Sequence, residues 1–461
     1  MFQAFSNIFK ISDLRKKIIY TLLLMVVYRI GSHIPTAGIN SSVLGDFFAQ
    51  QKGNLLGLFD LFSGRSLRRL TIFALGIMPY ISSSIIFQLL TVVVPYLEKL
   101  SKEGAEGKKK IARYTRYGTI LLSIVQSYGI SLWLENPQNF SGHVVVPDPG
   151  LSFRLMTVLT LTTGTSFLMW LGERISELGI GNGISLIIFF GIVCEMPEDL
   201  GRTINALSTG RLSVFFLILI IAIMVLTSAA VIAITQGMRK IPVQYAKRVV
   251  GRKIYGGQSS FIPLRINTAG VIPVIFASSI LMFPATVAQF VKIGFVKKIA
   301  DFVSPGTPYS LFSLFPAYLK ETIICKIFQV FTLYNVFYAG LIVFFSFFYT
   351  SVIFNPTDVS DNMRKYGGFI PGLRPGKQTA DFIESVLSKI TFMGGIYLAL
   401  IAILPDVLIS TFNAPFWFGG TSLLIVIGVA LDTVQQIETH LISRSYEGFM
   451  KKGTIKGRRG F

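Results

Sequence analysis

The chain has 461 residues, 52% of them hydrophobic and only 14% charged, with a mean hydropathy of +0.62. A soluble protein must clothe its surface in charge, and this chain has too little to do so. Its formal net charge of +20 invites a nucleic-acid reading, but the apolar residues arrive in long blocks that a soluble RNA-binding protein has no use for.

Those blocks lie at 18–36, 72–94, 117–134, 151–171, 184–197, 212–235, 269–290, 331–354, 390–410 and 415–435. At 1.5 Å rise per residue, about 20 apolar residues cross a hydrocarbon core about 30 Å thick, so the blocks predict ten transmembrane helices. Ahead of the first lies an arm, 1–17. Lys16 and Lys17 before an apolar run imitate a signal peptide, but Arg29 interrupts the run and nine further blocks follow, so the segment reads as a retained helix. The stretch 55–70, LLGLFDLFSGRSLRRL, is too short and too charged to span. Two readings of it stand: an amphipathic surface helix, or a re-entrant segment enclosed by protein or water.

Further along, the fifth block is short before Glu195. Loop 237–267 carries seven basic residues and no acid. Loop 291–330 holds Lys292, Lys297, Lys298, Lys320 and Lys326. Loop 355–379 contains Pro-Gly-Leu-Arg-Pro-Gly at 371–376, a stiff, turn-rich tip. Lys389 blurs the start of the ninth block, and a basic tail, 437–461, follows the tenth.

Lys and Arg are distributed unevenly about these spans. With both ends inside, 29 face the cytoplasm and 11 the opposite side, which predicts cytoplasmic termini. Five spans per half make the sixth start outside where the first starts inside. The halves, 18–211 and 212–436, are then antiparallel, an arrangement that places a pathway at their interface.

Catalytic signals are missing. His33, His143 and His440 are scattered and form no HExxH pair, and no GxSxG elbow occurs. Gly104-Ala-Glu-Gly-Lys-Lys-Lys lacks the spacing and the Ser/Thr of a phosphate loop, and reads as a solvated basic loop. Cys194 and Cys325 make no disulfide framework. The expectation is a protein without cofactor or metal, and not an enzyme. Glu173, Glu195, Glu384, Asp406 and Asp432 cluster at span ends rather than mid-membrane, which weakens the alternative of a coupled small-solute transporter.

Seven stretches carry a resemblance: FALGIMPYISSSIIFQLL (73–90), KIARYTRYGT (110–119), FLMWLGERISELGIGNGISLIIF (167–189), PVQYAKRVVGRKIYGGQSS (242–260), INTAGVIPVIFASSI (266–280), FNPTDVSDNMRKYGGFIPGLRPGKQTA (354–380) and FGGTSLLIVIGVALD (418–432). In this order, and over nearly the whole chain, they resemble the SecY family of protein-conducting channels. The form of the 242–260 loop is similar to the bacterial branch. The resemblance implies an all-α membrane protein of ten transmembrane helices, in two inverted five-helix halves around a central pore with a re-entrant plug helix. It implies passive translocation of unfolded polypeptides and sideways release of apolar segments into a bacterial inner membrane.

By the family's motifs the pore ring falls on Ile77, Ile81, Ile184, Ile188, Ile275 and Ile425. The plug falls on 55–70, with Leu58, Phe59, Leu61, Phe62 and Gly64 covering the ring from outside. A lateral gate between spans two and three and spans seven and eight takes in Ser82, Gln126 and Asn267, although polar side chains between membrane helices also serve as packing glue. Lys247, Arg248, Arg252, Lys253 and Arg374 match a docking site for the ribosome and the SecA motor. For most of these the orientation signal alone accounts for the charge, whereas Arg374 sits in a rigid Pro-Gly frame. SecE-like and SecG-like small subunits, client polypeptides and membrane lipids complete the implied partners.

Overall fold

The computed structural model describes residues 11–50, 59–60, 62–140, 143–210, 213–245, 248–250, 253–255, 259–290, 333–412 and 420–452. They fall into two compact units, one of Met1–Lys52, Leu56–Met196 and Val429–Phe461, the other of Gly53–Leu55 and Pro197–Gly428.

The first unit contains α1 (Ser12–Gly31), α2 (Ser41–Gln50), α3 (Met78–Val93), α4 (Pro95–Lys102), α5 (Ala105–Leu134), α6 (Leu151–Leu178) and α7 (Gly183–Val193). Asp13 in the first turn of α1 and Arg29 in its last turn oppose the helix dipole at each end. Val94 is extended because Pro95 follows it, so α3 stops there and α4 leaves at a bend of 98°. Asn182 caps α7, its side-chain oxygen accepting from the amides of Ile184 and Ser185 at 3.2 Å each. At the opposite end of α5, Glu135 accepts a two-point contact from Arg154 on α6, at 2.6 Å and 2.9 Å to one oxygen, and a third bond from the Gly150 amide at 3.1 Å. Arg154, in the first turn of α6, is thereby tied to the end of the preceding helix.

Small residues set how closely these helices approach. A Cβ at Gly164 of α6 would overlap the Ile72 carbonyl oxygen, and one at Gly183 would overlap the Gly172 carbonyl oxygen. Backbone cannot swing aside as a side-chain tip can, and overpacking costs about 1–3 kcal/mol. Gly164→Val is expected to deplete the chain from membranes, with Gly164→Ala intermediate; quantitative immunoblotting of membrane fractions checks it.

The second unit contains α8 (Met196–Ser208, its first residue in the other unit), α9 (Val214–Gln236), α10 (Ile272–Phe290), α11 (Leu333–Ile353), α12 (Pro356–Lys365) and α13 (Lys377–Phe412). The last helix, α14 (Gly420–Lys452), belongs to this unit as far as Gly428 and to the first unit beyond it. α9 is apolar all round and largely exposed, as a helix facing lipid must be.

Between α9 and α10 the basic loop is a β structure that the sequence reading did not predict. β1 (Met238–Tyr245) pairs antiparallel with β4 (Ser259–Arg265) from Met238↔Arg265 to Gln244↔Ser259. β2 (Arg248–Val250) and β3 (Lys253–Tyr255) form a hairpin, and β5 (Gly368–Phe369) joins the free edge of β1 through Gln244↔Phe369 and Tyr245↔Gly368. Strand alternation turns Ile241 and Val243 inward, where they meet Leu264, Met363, Ile370, Ile383 and Leu387. The two predicted docking loops thus share one apolar core beneath α13.

Every one of the ten predicted apolar blocks overlaps a helix. Among the described residues, Ala105–Leu134, Leu151–Leu178, Leu217–Gln236, Leu333–Lys365, Lys377–Leu404 and Thr421–Ile442 are long and apolar enough to cross a membrane, and the bent pair α3–α4 makes a seventh. The others fall short for visible reasons. α1 carries Asp13, Arg15, Lys16, Lys17 and Arg29, α7 has 11 residues, and α10 counts only over Ile272–Met282. The chain is a multi-pass, predominantly helical membrane protein.

Candidate functional site: the plug and its seat

Among its described residues, the segment 59–70 is buried inside the first unit except for the half-buried Arg68 and the exposed Arg69. Phe59, Asp60, Phe62, Ser63, Arg65, Ser66, Leu67 and Leu70 are all buried, which rules out a helix lying on a surface. Only its beginning is helical; turns carry the chain from Ser63 to Leu70. Ser63 organises them, its amide donating to Phe59 O at 3.1 Å and its hydroxyl to Asp60 O at 2.9 Å. The Asp60 carboxylate accepts from the Arg68 amide at 3.0 Å. Behind the turns, Thr36 donates twice to Leu70 O, at 2.9 Å from its amide and 2.8 Å from its hydroxyl, and Pro35 and Thr71 form a single β-bridge.

Two glycines let the segment seat. Gly64 has φ +65, and a Cβ there would stand 2.6 Å from the Tyr28 hydroxyl and 3.2 Å from Gly191 Cα. The segment's backbone therefore rests on a bare patch of α7. At Gly76, just before Ile77, a Cβ would lie 3.0 Å from Ser63 Cα. Of the predicted plug residues, Phe59, Phe62 and Gly64 are in this buried stretch, while Leu58 and Leu61 lie outside the described residues.

Within the first unit, Ile77 closes the start of α3 as its N-cap, Ile81 follows one turn on, and Ile188 is on α7; all three are buried. Ile184 is half-buried, 3.1 Å from the Cβ position of Gly172. Within the second unit, Ile275 and Ile425 are buried, and the Ile275 carbonyl accepts from the hydroxyls of Ser278 at 2.9 Å and Ser279 at 2.7 Å.

Of the gate candidates, Ser82 is half-buried, Gln126 is buried with no hydrogen-bond partner for its side-chain oxygen among the described residues, and Asn267 is buried in the second unit. The serine that ties α3 to α5 is the next one. Ser83 donates to Thr115 O at 2.8 Å, and the bare Gly118 admits it. The triplet Ser82-Ser83-Ser84 gives no sign of which member faces α5, so this contact was invisible in the sequence.

The docking candidates divide similarly. Arg248 is on β2 and Lys253 on β3, whereas Lys247 and Arg252 lie outside the described residues. Arg374 is exposed on a turn whose carbonyl at 374 accepts from the Thr379 hydroxyl at 2.8 Å, and whose carbonyl at Gly376 accepts from the Ser360 hydroxyl at 2.7 Å.

A cluster of buried charge escaped the sequence reading. Glu195, just past the end of α7, stands 2.8 Å from Arg65, 3.6 Å from Arg29 and 3.7 Å from Arg68. The signal available was charge complementarity: three arginines in an apolar segment and Arg29 require a buried acid nearby. Burial pushes the Asp60 carboxyl up to about 6, opposed by its bond to the Arg68 amide and by the charges of Arg68 and Arg65.

The chain is similar to known proteins over most of its length. The family model described as SecY matches residues 71–434. The protein translocase subunit SecY of Aquifex aeolicus is 44% identical over 453 residues, 98% of this chain and 100% of that one. A solved SecY, studied for a plug domain that stabilises its closed channel, superposes with a TM-score of 0.65 at 18% identity, covering 93% of both chains. Sec61 in a canine ribosome–channel complex gives a TM-score of 0.62 at 18% identity, again over 93% of each. With a match this long and this identical, the chain belongs to the SecY family.

Proposed function

We propose that the chain is the conducting subunit of a protein translocase, passing unfolded polypeptide through a pore whose waist is Ile77, Ile81, Ile184, Ile188, Ile275 and Ile425, and whose outer seal is the segment 55–70. One observation carries the assignment: the buried turn at Ser63 rests against Gly76, immediately before the first ring isoleucine. The sequence of events follows from solvation. A chain in transit carries unpaired backbone donors and acceptors, each costing several kcal/mol in lipid, so the passage must be wet above and below the waist. An apolar constriction sheds water when empty and grips side chains without preference, which suits a polymer of any sequence. It performs no chemistry, and the driving force comes from a motor, the ribosome or the membrane potential.

Two inverted halves, 18–211 and 212–436, make the pathway, and the charge bias sets both termini in the cytoplasm of a bacterial cell, with the chain in its inner membrane. Parting of spans two and three from seven and eight lets an apolar segment leave for lipid, gaining about 0.3–0.6 kcal/mol per Leu, Ile, Phe or Val at mid-membrane. Ser82, Gln126 and Asn267 line that seam in this reading. The buried amide oxygen of Gln126, unpartnered among the described residues, supports it, because such a group gains by any rearrangement that hydrates it.

On the cytoplasmic side, Lys247, Arg248, Arg252, Lys253 and Arg374 receive the ribosome or a SecA-like motor, and SecE-like and SecG-like subunits flank the bundle. Arginine forks onto phosphate and carboxylate alike, so one surface serves ribosomal RNA and an acidic protein. The β structure supports this: β2 and β3, which carry Arg248 and Lys253, lie in sequence between β1 and β4, whose apolar core also takes in Met363 and Ile370 on either side of β5.

The deciding experiment places a photoreactive residue at position 81 or 275 and stalls a secretory chain on the ribosome. Crosslinks from both positions to the stalled chain are expected. A client that reaches the far side without ever labelling either position overturns the reading.

A further inference from the structure

The Arg65–Glu195 contact is unlike ordinary span-end charge. Carboxylates at the ends of membrane helices normally face water, at no cost. Here the Glu195 and Arg65 side chains are 7% and 8% exposed. Removing a carboxylate and a guanidinium group from water is expensive, and such pairs do little for stability compared with apolar packing. What a buried pair does provide is discrimination between one arrangement and another.

The two sides of the contact belong to different elements. Arg65 and Arg68 ride on the seal segment, and Glu195 follows α7. If the segment leaves its seat, Glu195 retains only Arg29 of α1, at 3.6 Å, and both plug arginines go with the moving part. The two states therefore differ in how well one buried carboxylate is paired.

Backbone geometry supplies the opposing force. Arg65 has φ +58 and Leu70 φ +39, left-handed conformations that side-chain-bearing residues resist. The seated turn is thus strained at two positions, one of them the residue that makes the 2.8 Å contact. Gly64, the neighbour of Arg65, is stacked on Gly191, four residues ahead of Glu195. Backbone docking and charge pairing are side by side.

We propose that Glu195 is a positioning residue for the seal: through Arg65 and Arg68 it latches the strained segment 59–70 in its seat, and an arriving client opens the channel by breaking that pairing. The inference rests on the channel reading above. Such a latch raises the work a signal segment must perform, because only a ligand that favours the open state shifts the equilibrium.

The test uses the full translocase in vesicles and planar bilayers, with Glu195→Gln, Arg65→Gln and the double variant. Resting ion conductance is expected to rise about tenfold or more in each single variant, and the double not to exceed Glu195→Gln, since loss of the carboxylate already removes its pairing with Arg65. A secretory client with a weakened signal segment should be exported several-fold better by Glu195→Gln than by the parent. That gain is not produced by a merely damaged fold. Should Glu195→Gln fail to accumulate, Arg65→Gln, on the segment rather than the bundle, carries the same two readouts. Either variant that accumulates yet stays tight and signal-dependent overturns the latch. Failure of the parent itself to translocate any client overturns the channel reading instead.

Discussion

Arg374→Glu is expected to abolish export while leaving the protein in the membrane at its usual level. Pro371 and Pro375 fix the backbone, and Gly372 and Gly376 take φ +84 and +111, which a β-carbon would oppose. Three hydrogen bonds then lock the tip: Leu373 N to Ile370 O at 3.1 Å, Thr379 Oγ1 to Arg374 O, and Ser360 Oγ to Gly376 O. None of them uses the Arg374 guanidinium, so its replacement leaves the turn intact. What changes is the surface offered to a partner. An interfacial charge facing an opposite charge is worth about 2–5 kcal/mol when truncated, and reversal adds repulsion, so binding weakens by about a hundredfold or more.

Co-sedimentation of ribosomes or of a SecA-like motor with channel-bearing vesicles measures the loss directly, and uptake of a secretory client measures its consequence. Arg374→Lys keeps the charge but not the fork, and should fall between. Parent-level uptake by Arg374→Glu removes this residue from the docking surface.

Much of the architecture was legible because the membrane simplifies the code. A span must be apolar over about 20 residues, and ten such blocks stood out; each overlaps a helix, and seven of those helices are long and apolar enough to cross when the bent pair is taken as one span. Polar segments follow no such rule. Loop 237–267 reads as a basic loop without acids, yet β1 pairs with β4 from Met238↔Arg265 to Gln244↔Ser259, held by an alternation of just two inward residues, Ile241 and Val243, with prolines at 242 and 263 arguing against strands. The core that overrides those prolines comes from Met363, Ile370, Ile383 and Leu387, more than 90 residues later. No local window contains that information.

The site was legible to a similar limit. Motif placement put Phe59, Phe62 and Gly64 in a buried segment, and their burial follows from apolarity. Arg65 and Arg68 looked out of place there, since three arginines suggested a surface or a poor seat. Their acid, Glu195, lies about 130 residues away at the end of the shortest predicted span. Pairing of this kind is decided by which helices are neighbours, which hydropathy does not report.

A charge at Ile81 should open a leak of ions through the resting channel. Ile81 is buried on α3, its amide bonded to the Ile77 carbonyl at 3.1 Å, so the two isoleucines are one turn apart on the same face. Ile81→Asp costs about 2.5–3.5 kcal/mol against lipid-like surroundings, and a site with access to water avoids that cost by hydrating. Hydration of a dewetted constriction is conduction, so resting current through a planar bilayer is expected to rise about tenfold or more, with Ile81→Leu silent. Buried isoleucines in ordinary packing must behave otherwise. Ile187, next to Ile188 on α7, is equally buried but is not one of the ring positions. As ordinary core, it is expected to respond to Ile187→Asp with less chain in the membrane and no comparable leak. Equal outcomes for the two positions would mean that Ile81 is core, and that the waist lies elsewhere.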